Sequence, residues 1–300
     1  MMYGSQIELL LKIAKEYSVE QLTEAVAVYR FPEVFYHFSP SRWNLISWFD
    51  GWKEKKVLEI GSECGAYTSY LTRQASRVTC LETSALYQEV NEARHKGTTN
   101  TVFLTGAMNK LMNTNEKYDC ILITQAFSKA ASYVCHKDQY DMADEFMASQ
   151  KELLKQAFEL LTKDGKIILV VDNRMGLKYF AGAKEPFTGA YFGGLEGQSG
   201  IHGERAFTSE EMHRIFAEIP ELKVDTYYPY PDYRYPKMIY SEHYLPKKGE
   251  LVQNDLDLDA PNLQLYNVEK AFDMIIDHDT FPLFTNSFMY ILERNPGKCS

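Results

Sequence analysis

The sequence has few cysteines, and none of them are paired along the chain. Five cysteines are scattered over 300 residues, and no CxxC motif occurs. An odd number of isolated cysteines forms no disulfide framework and is typical of reduced, intracellular thiols. No His and Cys residues stand at zinc-binding spacing either. We therefore expect reduced thiols and no metal site.

Positive charge and long apolar runs are also scarce. The chain has 32 Lys and Arg against 41 Asp and Glu, a net charge of −9. Binding to nucleic acid needs a basic field, so no nucleic-acid partner is expected. No apolar run approaches the roughly 20 residues of a membrane span. The first residues also lack the basic start and cleavage site of a signal peptide. These absences predict a cytoplasmic protein with no membrane span.

Strand and helix patterns alternate from Val57 onward. The strand-like segments are KVLEIG, RVTCLE, TVFLTGA, YDCILITQAF and KIILVVDN. The helix-like segments between them are AYTSYLTRQA, SALYQEVNEARHKG and DEFMASQKELLKQAFELLTKDG, the last closed by Asp164 and Gly165. This βαβα order predicts an α/β fold with a Rossmann-like, doubly wound and mostly parallel sheet. Residues 1–52 precede it as an N-terminal helical lead, with a short helix expected from Arg42 to Trp52.

The alternation fails after the fifth strand. Residues 174–206 hold eight of the 17 glycines of the chain, and a loop of this length is usually functional or mobile. A helix should follow from Thr208, with Glu211 completing a capping box. The Tyr- and Pro-rich run that comes next either lines a sugar site or packs as an extended cover, which we favour. We expect residues 174–246 to form a lid or substrate insertion within a second domain, 53–300.

The stretch VLEIGSECGAYTSYL carries the strongest functional signal. Its strand contains Glu59, and Gly61 and Gly65 follow in the turn. A dinucleotide fingerprint requires glycine where Glu63 stands, and no P-loop motif follows, so phosphate-bearing cofactors are disfavoured. S-adenosylmethionine carries no phosphate. Glu82 ends the second strand about 20 residues later, where a carboxylate can accept hydrogen bonds from both ribose hydroxyls.

On these motifs, residues 39–173 resemble class I S-adenosylmethionine-dependent methyltransferases. The segments SPSRWNL, DNRMGLKYFAGAKEPFTGAYFGGLEG, YYPYPDYRYPKMIYSEHYLP and FTNSFMYILE are similar to a bacterial group associated with surface-polysaccharide glycosyltransferases. This resemblance implies methylation of a glycan. The chain departs from the family at Glu63, where glycine is usual, and at Phe187, often a histidine. Gln125, Ala126 and Phe127 also stand where the family has a Leu-Glu-Tyr run.

The motifs and the resemblance together predict three groups of site residues. We expect S-adenosylmethionine to contact Glu59, Gly61, Glu63, Gly65, Glu82, Gly106, Ala107, Thr124 and Gln125. We expect the catalytic residues to be His202, as general base, and Asp172. We expect the acceptor to contact Asn173, Arg174, Lys178, Tyr179 and Glu185.

Three functions remain open from the sequence. The leading one is methyl transfer from S-adenosylmethionine to a hydroxyl of a glycan or glycan-like metabolite. The second is a catalytically degenerate methyltransferase-fold protein that binds or regulates a partner, and the third is an oxidoreductase on the same sheet. The Glu63 carboxylate either enters the cleft or turns to solvent, which we favour. A small-molecule or glycan acceptor is the expected partner, with assembly as a homo-oligomer or with an active relative.

Overall fold

The computed structural model describes residues 2–134, 147–200, 203–219, 221–252 and 265–295. Its strands are β1 (Lys56–Ile60), β2 (Arg77–Glu82), β3 (Thr101–Thr105), β4 (Tyr118–Ile123), β5 (Leu161–Asp172), β6 (Leu222–Tyr230), β7 (Met238–Ser241) and β8 (Ser287–Arg294). Its helices are α1 (Met2–Glu16), α2 (Leu22–Tyr29), α3 (Pro32–Phe38), α4 (Thr68–Gln74), α5 (Ala85–Arg94), α6 (Asn109–Met112), α7 (Gln125–Ser128), α8 (Ala130–Tyr133), α9 (Ala148–Glu159), α10 (Leu177–Phe180), α11 (Ser209–Ala217), α12 (Val268–Asp277) and α13 (Phe281–Phe284).

The eight strands form one sheet in the order β3-β2-β1-β4-β5-β8-β6-β7. The first five strands in this order, from β3 to β5, run parallel to one another. β8 is antiparallel to both β5 and β6, and β7 is antiparallel to β6. The strand order reverses between β1 and β4, so the chain leaves a crevice there. The expected Rossmann-like α/β fold with a mostly parallel sheet is confirmed.

Both faces of the sheet are covered, which explains the continuous apolar strands. In β1, Leu58 and Ile60 face a core that also includes residues of α7, α9, α11 and α12. Val57 faces the other core, with Trp52 and residues of α4. A third cluster packs α1, α2 and α3 against α5 and Cys64. The N-terminal helices are thereby held beside the turn that follows β1.

Several element boundaries differ from those expected from the sequence. The segment from Arg42 to Trp52 is not one helix but two 3₁₀ turns, Pro40–Leu45 and Asp50–Trp52. β4 ends at Ile123, and α7 begins at Gln125. α9 ends before Gly165, which lies inside β5 because β5 already pairs with Tyr118 at Leu161. At Gly165, long-range strand pairing overrides the local helix pattern.

The region after β5 contains more regular structure than the sequence suggests. The Tyr- and Pro-rich run supplies part of β6 and all of β7, so it belongs to the sheet and is not a cover over it. The capping box of α11 is confirmed: the Glu211 N–H donates to Thr208 Oγ1 at 3.2 Å, and the Thr208 N–H donates to Glu211 Oε2 at 2.8 Å. The last long helix, α12, and the last strand, β8, follow in the chain.

Candidate functional site

The candidate site lies where the strand order reverses between β1 and β4. In open α/β sheets, ligands bind outside the carboxyl ends of the strands at such a point. The parallel strands β1 to β5 bring their carboxyl ends to this edge. The cofactor and catalytic residues expected from the sequence, within the described ranges, lie in these strands, in the turns that follow them or, for Gln125, at the start of α7.

The turn after β1 depends on two glycines in the left-handed region. Gly61 has a φ of 80° and Gly65 a φ of 79°. A Cβ atom on Gly61 would lie 2.9 Å from the Cβ of Ala126, and one on Gly65 would lie 2.0 Å from Oδ1 of Asn91. Only glycine lets the turn pack this closely against α7 and α5.

Glu82, the last residue of β2, directs its buried carboxylate at this turn. Oε2 accepts a hydrogen bond from the backbone N–H of Glu63 at 3.0 Å, and Oε1 accepts one from that of Ser84 at 2.8 Å. Each oxygen also accepts from a hydroxyl. Tyr133 donates to Oε2 at 3.1 Å and Thr83 to Oε1 at 3.4 Å. Two backbone donors thus fix the carboxylate, and two hydroxyls fill one further acceptor position on each oxygen.

Glu63 stands at the centre of the turn with a φ of 46°, in the region that favours glycine. Its carboxylate accepts a hydrogen bond from the Tyr36 hydroxyl at 3.1 Å and lies 3.9 Å from Nη1 of Arg42. The side chain is only 13% exposed. The expectation that this carboxylate turns to solvent is therefore wrong, because it turns to the N-terminal segment instead.

The turns after β3 and β4 complete the edge. Gly106 has a φ of 139°, and its N–H donates to the carbonyl oxygen of Glu82 at 2.8 Å. Gly106 and the following Ala107 are thereby held beside the end of β2. Thr124 is buried and immediately precedes α7. Both turns lie where the sequence places them.

A chain of hydrogen bonds crosses the site from β1 to β5. Gln125 donates from Nε2 to the hydroxyls of Tyr36, at 3.1 Å, and of Tyr233. The Tyr36 hydroxyl donates onward to Glu63 at 3.1 Å, and the Tyr233 hydroxyl donates to Oδ2 of Asp172 at 3.4 Å. Burial raises the pKa of both phenols well above its ordinary value, so both are neutral at physiological pH.

Asp172 is the centre of a buried charge cluster at the end of β5. Arg234 donates to its two oxygens at 2.8 and 2.9 Å, in a fork that matches the carboxylate. Lys178 and Tyr179 also donate to Oδ1, at 3.2 and 3.4 Å. Lys178 additionally pairs with Asp232, whose pKa is lowered, despite its burial, by the charges of Lys178 and Arg234. The cluster ties β5 to the loop between β6 and β7.

Asn173 and Arg174 use their side chains within the protein. The side-chain amide nitrogen of Asn173 donates hydrogen bonds to two main-chain carbonyl oxygens, of Leu283 at 2.8 Å and of Thr285 at 2.6 Å. Arg174 pairs with Glu211 at 3.3 Å, at the start of α11. These contacts hold the end of β5 against its neighbours, and the expected acceptor contacts of both residues stay a prediction.

Glu185 differs from these neighbours because one of its oxygens has no hydrogen-bond partner among the described residues. The side chain is 2% exposed. Oε2 accepts from the N–H groups of Phe187 and Thr188 at 2.9 and 2.7 Å. Oε1 is buried without a hydrogen-bond partner in the described part of the chain. Burial raises the pKa of Glu185, and the charge of Asp172 raises it further.

Glu59 lies on the sheet face that α4 covers. Thr68, the first residue of α4, donates to its Oε2 at 2.6 Å, and the Cys80 thiol lies 3.7 Å from the same oxygen. The side chain is fully buried, and burial raises its pKa to about 7. These contacts fix α4 against β1 and β2, and the expected contact of Glu59 with a cofactor stays a prediction.

Sequence reasoning missed five residues that the fold brings to the site: Tyr36, Arg42, Tyr133, Tyr233 and Arg234. Arg42 lies in SPSRWNL, and Tyr233 and Arg234 lie in YYPYPDYRYPKMIYSEHYLP. Only their resemblance to a family marks these segments in the sequence. No sequence signal marks Tyr36 or Tyr133, because each reaches the site through the packing of a helix.

His202, the expected general base, lies outside the described residues. Within the ranges that the structure describes, no group of three or more His, Cys, Asp or Glu side chains could hold a metal ion. The same ranges contain no helix that is both long enough and apolar enough to cross a membrane.

Comparison with known proteins gives a likeness in fold but not in sequence. The chain matches no protein-family model and no curated protein. A structure of the plantazolicin methyltransferase BpumL with S-adenosylhomocysteine has a TM-score of 0.47 and 13% identity, over 98% of this chain and 100% of that one. The N-methyltransferase NodS from Bradyrhizobium japonicum, also with S-adenosylhomocysteine, has a TM-score of 0.46 and 12% identity, over 87% and 88%.

A third similar structure is phosphoethanolamine N-methyltransferase 1 from Haemonchus contortus, with phosphoethanolamine and S-adenosylhomocysteine. Its TM-score is 0.37 at 16% identity, over 57% of this chain, which spans only 32% of that protein. Each of the three proteins is a methyltransferase. The expected association of this chain with surface-polysaccharide glycosyltransferases stays a prediction.

Proposed function

We propose that this protein binds S-adenosylmethionine and transfers its methyl group to a hydroxyl of a small acceptor. The observation that carries the proposal is the bonding of Glu82. Backbone N–H groups hold its carboxylate in place, and a hydroxyl occupies one further position on each oxygen. A vicinal diol offers the same pair of donors, so the ribose of an adenosyl group can replace Tyr133 and Thr83 at Glu82.

The residues around Glu82 fit the nucleoside end of such a cofactor. Gly61 and Gly106 present backbone without a Cβ on either side of β2, at φ values of 80° and 139°. Glu82 itself is anchored by main-chain donors and is therefore preorganised. Glu63, Gly65, Ala107, Thr124 and Gln125 would line the remaining cofactor site. When bound, S-adenosylmethionine supplies an electrophilic methyl group.

Glu185 is the group we assign to the acceptor hydroxyl. A buried carboxylate oxygen without a donor is costly, and a hydroxyl that donates to Glu185 Oε1 removes that cost. The raised pKa of Glu185 brings its basicity toward that of an effective general base. Asp172 is engaged by the fork of Arg234, so its expected role as a base is less well supported. The neutral phenol of Tyr233 would orient the acceptor and not ionise it.

A glycan or glycan-like acceptor is the finer form of this proposal, and an aromatic groove supports it. The groove has a volume of about 320 Å³ and is lined in part by Trp48, Tyr227 and Pro236. The rings of Trp48 and Tyr227 lie 5.1 Å apart at 45°. Pro236 lies in the same loop as Arg234, between β6 and β7. Aromatic faces flanked by polar groups are suited to a sugar ring.

The test is calorimetry with S-adenosylhomocysteine. Glu82→Gln keeps the size of the side chain but removes its charge, and it should weaken binding about 10- to 150-fold, as expected for hydrogen bonds to a charged group. Tyr133→Phe removes a competing donor, so it should leave the affinity unchanged or increase it. An unchanged affinity for folded Glu82→Gln would remove Glu82 from the site and refute the observation on which the proposal rests.

A protein that binds or regulates a partner without catalysis is the second candidate. It is favoured by the hydrogen bonds that the site residues make with one another. The Tyr133 hydroxyl donates to Glu82, and the Tyr36 hydroxyl bridges Glu63 and Gln125. If neither the native chain nor Tyr133→Phe binds S-adenosylmethionine or S-adenosylhomocysteine at millimolar concentration, the enzyme proposal fails and this candidate replaces it.

A further inference from the structure

Arg42 is a buried cation that has no carboxylate within hydrogen-bond distance among the described residues. The residue is 1% exposed. Its guanidinium lies between two tyrosine rings, 4.0 Å from the centroid of Tyr36 and 4.8 Å from that of Tyr67. Nη1 donates to the carbonyl oxygen of Tyr36 at 3.1 Å, and Nη2 donates to the two phenols at 3.4 Å. Nε is buried without a partner in the described residues.

The carboxylate nearest to this cation does not bond it in a fork. Glu63 Oε2 lies 3.9 Å from Nη1, whereas charge-assisted hydrogen bonds between nitrogen and oxygen measure about 2.7–2.9 Å. Its shorter contact is with the Tyr36 hydroxyl, at 3.1 Å. Arg42 therefore keeps unused capacity for a carboxylate, and Glu63 places a negative charge beside that capacity.

Glu63 also links this cation to the expected nucleoside site. Its backbone N–H donates to Glu82 at 3.0 Å, while its side chain points to Arg42. A ligand whose ribose lies on Glu82 would extend its 5′ substituent along the same turn. In S-adenosylmethionine that substituent ends in a carboxylate and an ammonium group. A ligand carboxylate that reaches Arg42 must meet the carboxylate of Glu63 there.

We propose that Glu63 is a specificity-determining residue that competes with the ligand carboxylate for Arg42. The inference rests on the proposed adenosyl site and deepens it. Two carboxylates beside one buried guanidinium repel each other. Glu63 therefore weakens the binding of ligands that carry the amino-acid carboxylate, compared with the same ligands without it. Glycine at position 63 would remove this carboxylate and would also adopt the φ of 46° without strain. The native residue therefore keeps the affinity for such ligands below the affinity that this turn could give.

The experiment compares two probes that differ by a single group: S-adenosylhomocysteine and its decarboxylated form, which keeps the ammonium. Their dissociation constants are measured by calorimetry for the native chain, Glu63→Gln and Glu63→Gly. Both variants should lower the dissociation constant of S-adenosylhomocysteine at least about 10-fold. Neither variant should lower the dissociation constant of the decarboxylated probe, because this probe carries no negative charge for Glu63 to repel. Glu89→Gln removes an exposed carboxylate of α5 and controls for net charge.

Adding Arg42→Met to Glu63→Gln tests the cation itself. It should reverse the gain in affinity for S-adenosylhomocysteine and leave the affinity for the decarboxylated probe unchanged. An equal ratio of the two dissociation constants in the native chain and both Glu63 variants overturns this inference but leaves the adenosyl site standing. If no variant binds either probe at millimolar concentration, the proposed function fails together with the inference.

Discussion

Replacing Glu59 by glutamine should change how the stability of the protein depends on pH. Glu59 is fully buried, and Thr68 donates to it at 2.6 Å. Burial raises the pKa of its carboxyl from an ordinary value of 4.5 to about 7, against the opposing effect of that hydrogen bond. Glutamine resembles the protonated acid and keeps an oxygen that accepts from Thr68. The variant therefore removes the titration while retaining the contact.

The sign follows from where the proton binds more tightly. Between pH 4.5 and about 7 the folded chain holds a proton on Glu59 that the unfolded chain has already lost. The free energy of unfolding therefore decreases as the pH rises through this window. At about 1.4 kcal/mol for each unit between the two pKa values, Glu59 costs the native protein about 3 kcal/mol above pH 7.

Urea denaturation at pH 5 and pH 8 measures this effect. Glu59→Gln should change stability little at pH 5 and be more stable than the native chain at pH 8. The difference between the two proteins should thus grow by about 2–3 kcal/mol over this range. Glu89→Gln, on the exposed face of α5, should show no such growth. A constant difference between Glu59→Gln and the native chain would mean that the buried carboxyl does not titrate in this range.

Two further substitutions test the parts of the fold that hold the site. Arg234→Met leaves the buried carboxylate of Asp172 without its fork and should lower the free energy of unfolding by about 3–5 kcal/mol in urea. Arg234→Lys should recover little of it, because an ammonium cannot form the two parallel bonds; full recovery would show that the fork is unimportant. Gly61→Ala should cost about 2–4 kcal/mol, from its positive φ and its contact with α7. Gly97→Ala shares a positive φ but has no atom within 4 Å of the added Cβ, so it should cost only about 1–2 kcal/mol; equal losses would contradict the packing argument.

Local sequence information was sufficient for the five parallel strands of the sheet and for the turn at its edge. Apolar strands such as that of Val57 and Leu58 are recognisable because burial on both faces leaves no polar alternation. Gly61 and Gly65 are recognisable because their backbone lies in the left-handed region. Thr208 and Glu211 of the capping box are only three positions apart, so both partners are visible in the sequence.

The side-chain hydrogen bonds and ion pairs of the site depend on the tertiary structure. Tyr36 reaches Glu63 across 27 positions of sequence, Tyr133 reaches Glu82 across 51, and Arg234 reaches Asp172 across 62. The direction taken by the Glu63 side chain depends on where α3 packs, which no local pattern encodes. Hydrogen bonds and ion pairs act over a few ångströms in space, whereas propensity and periodicity act over a few residues in sequence. The sequence alone therefore determined which strand ends meet at the candidate site, and only the packed fold decided which side chains lie there.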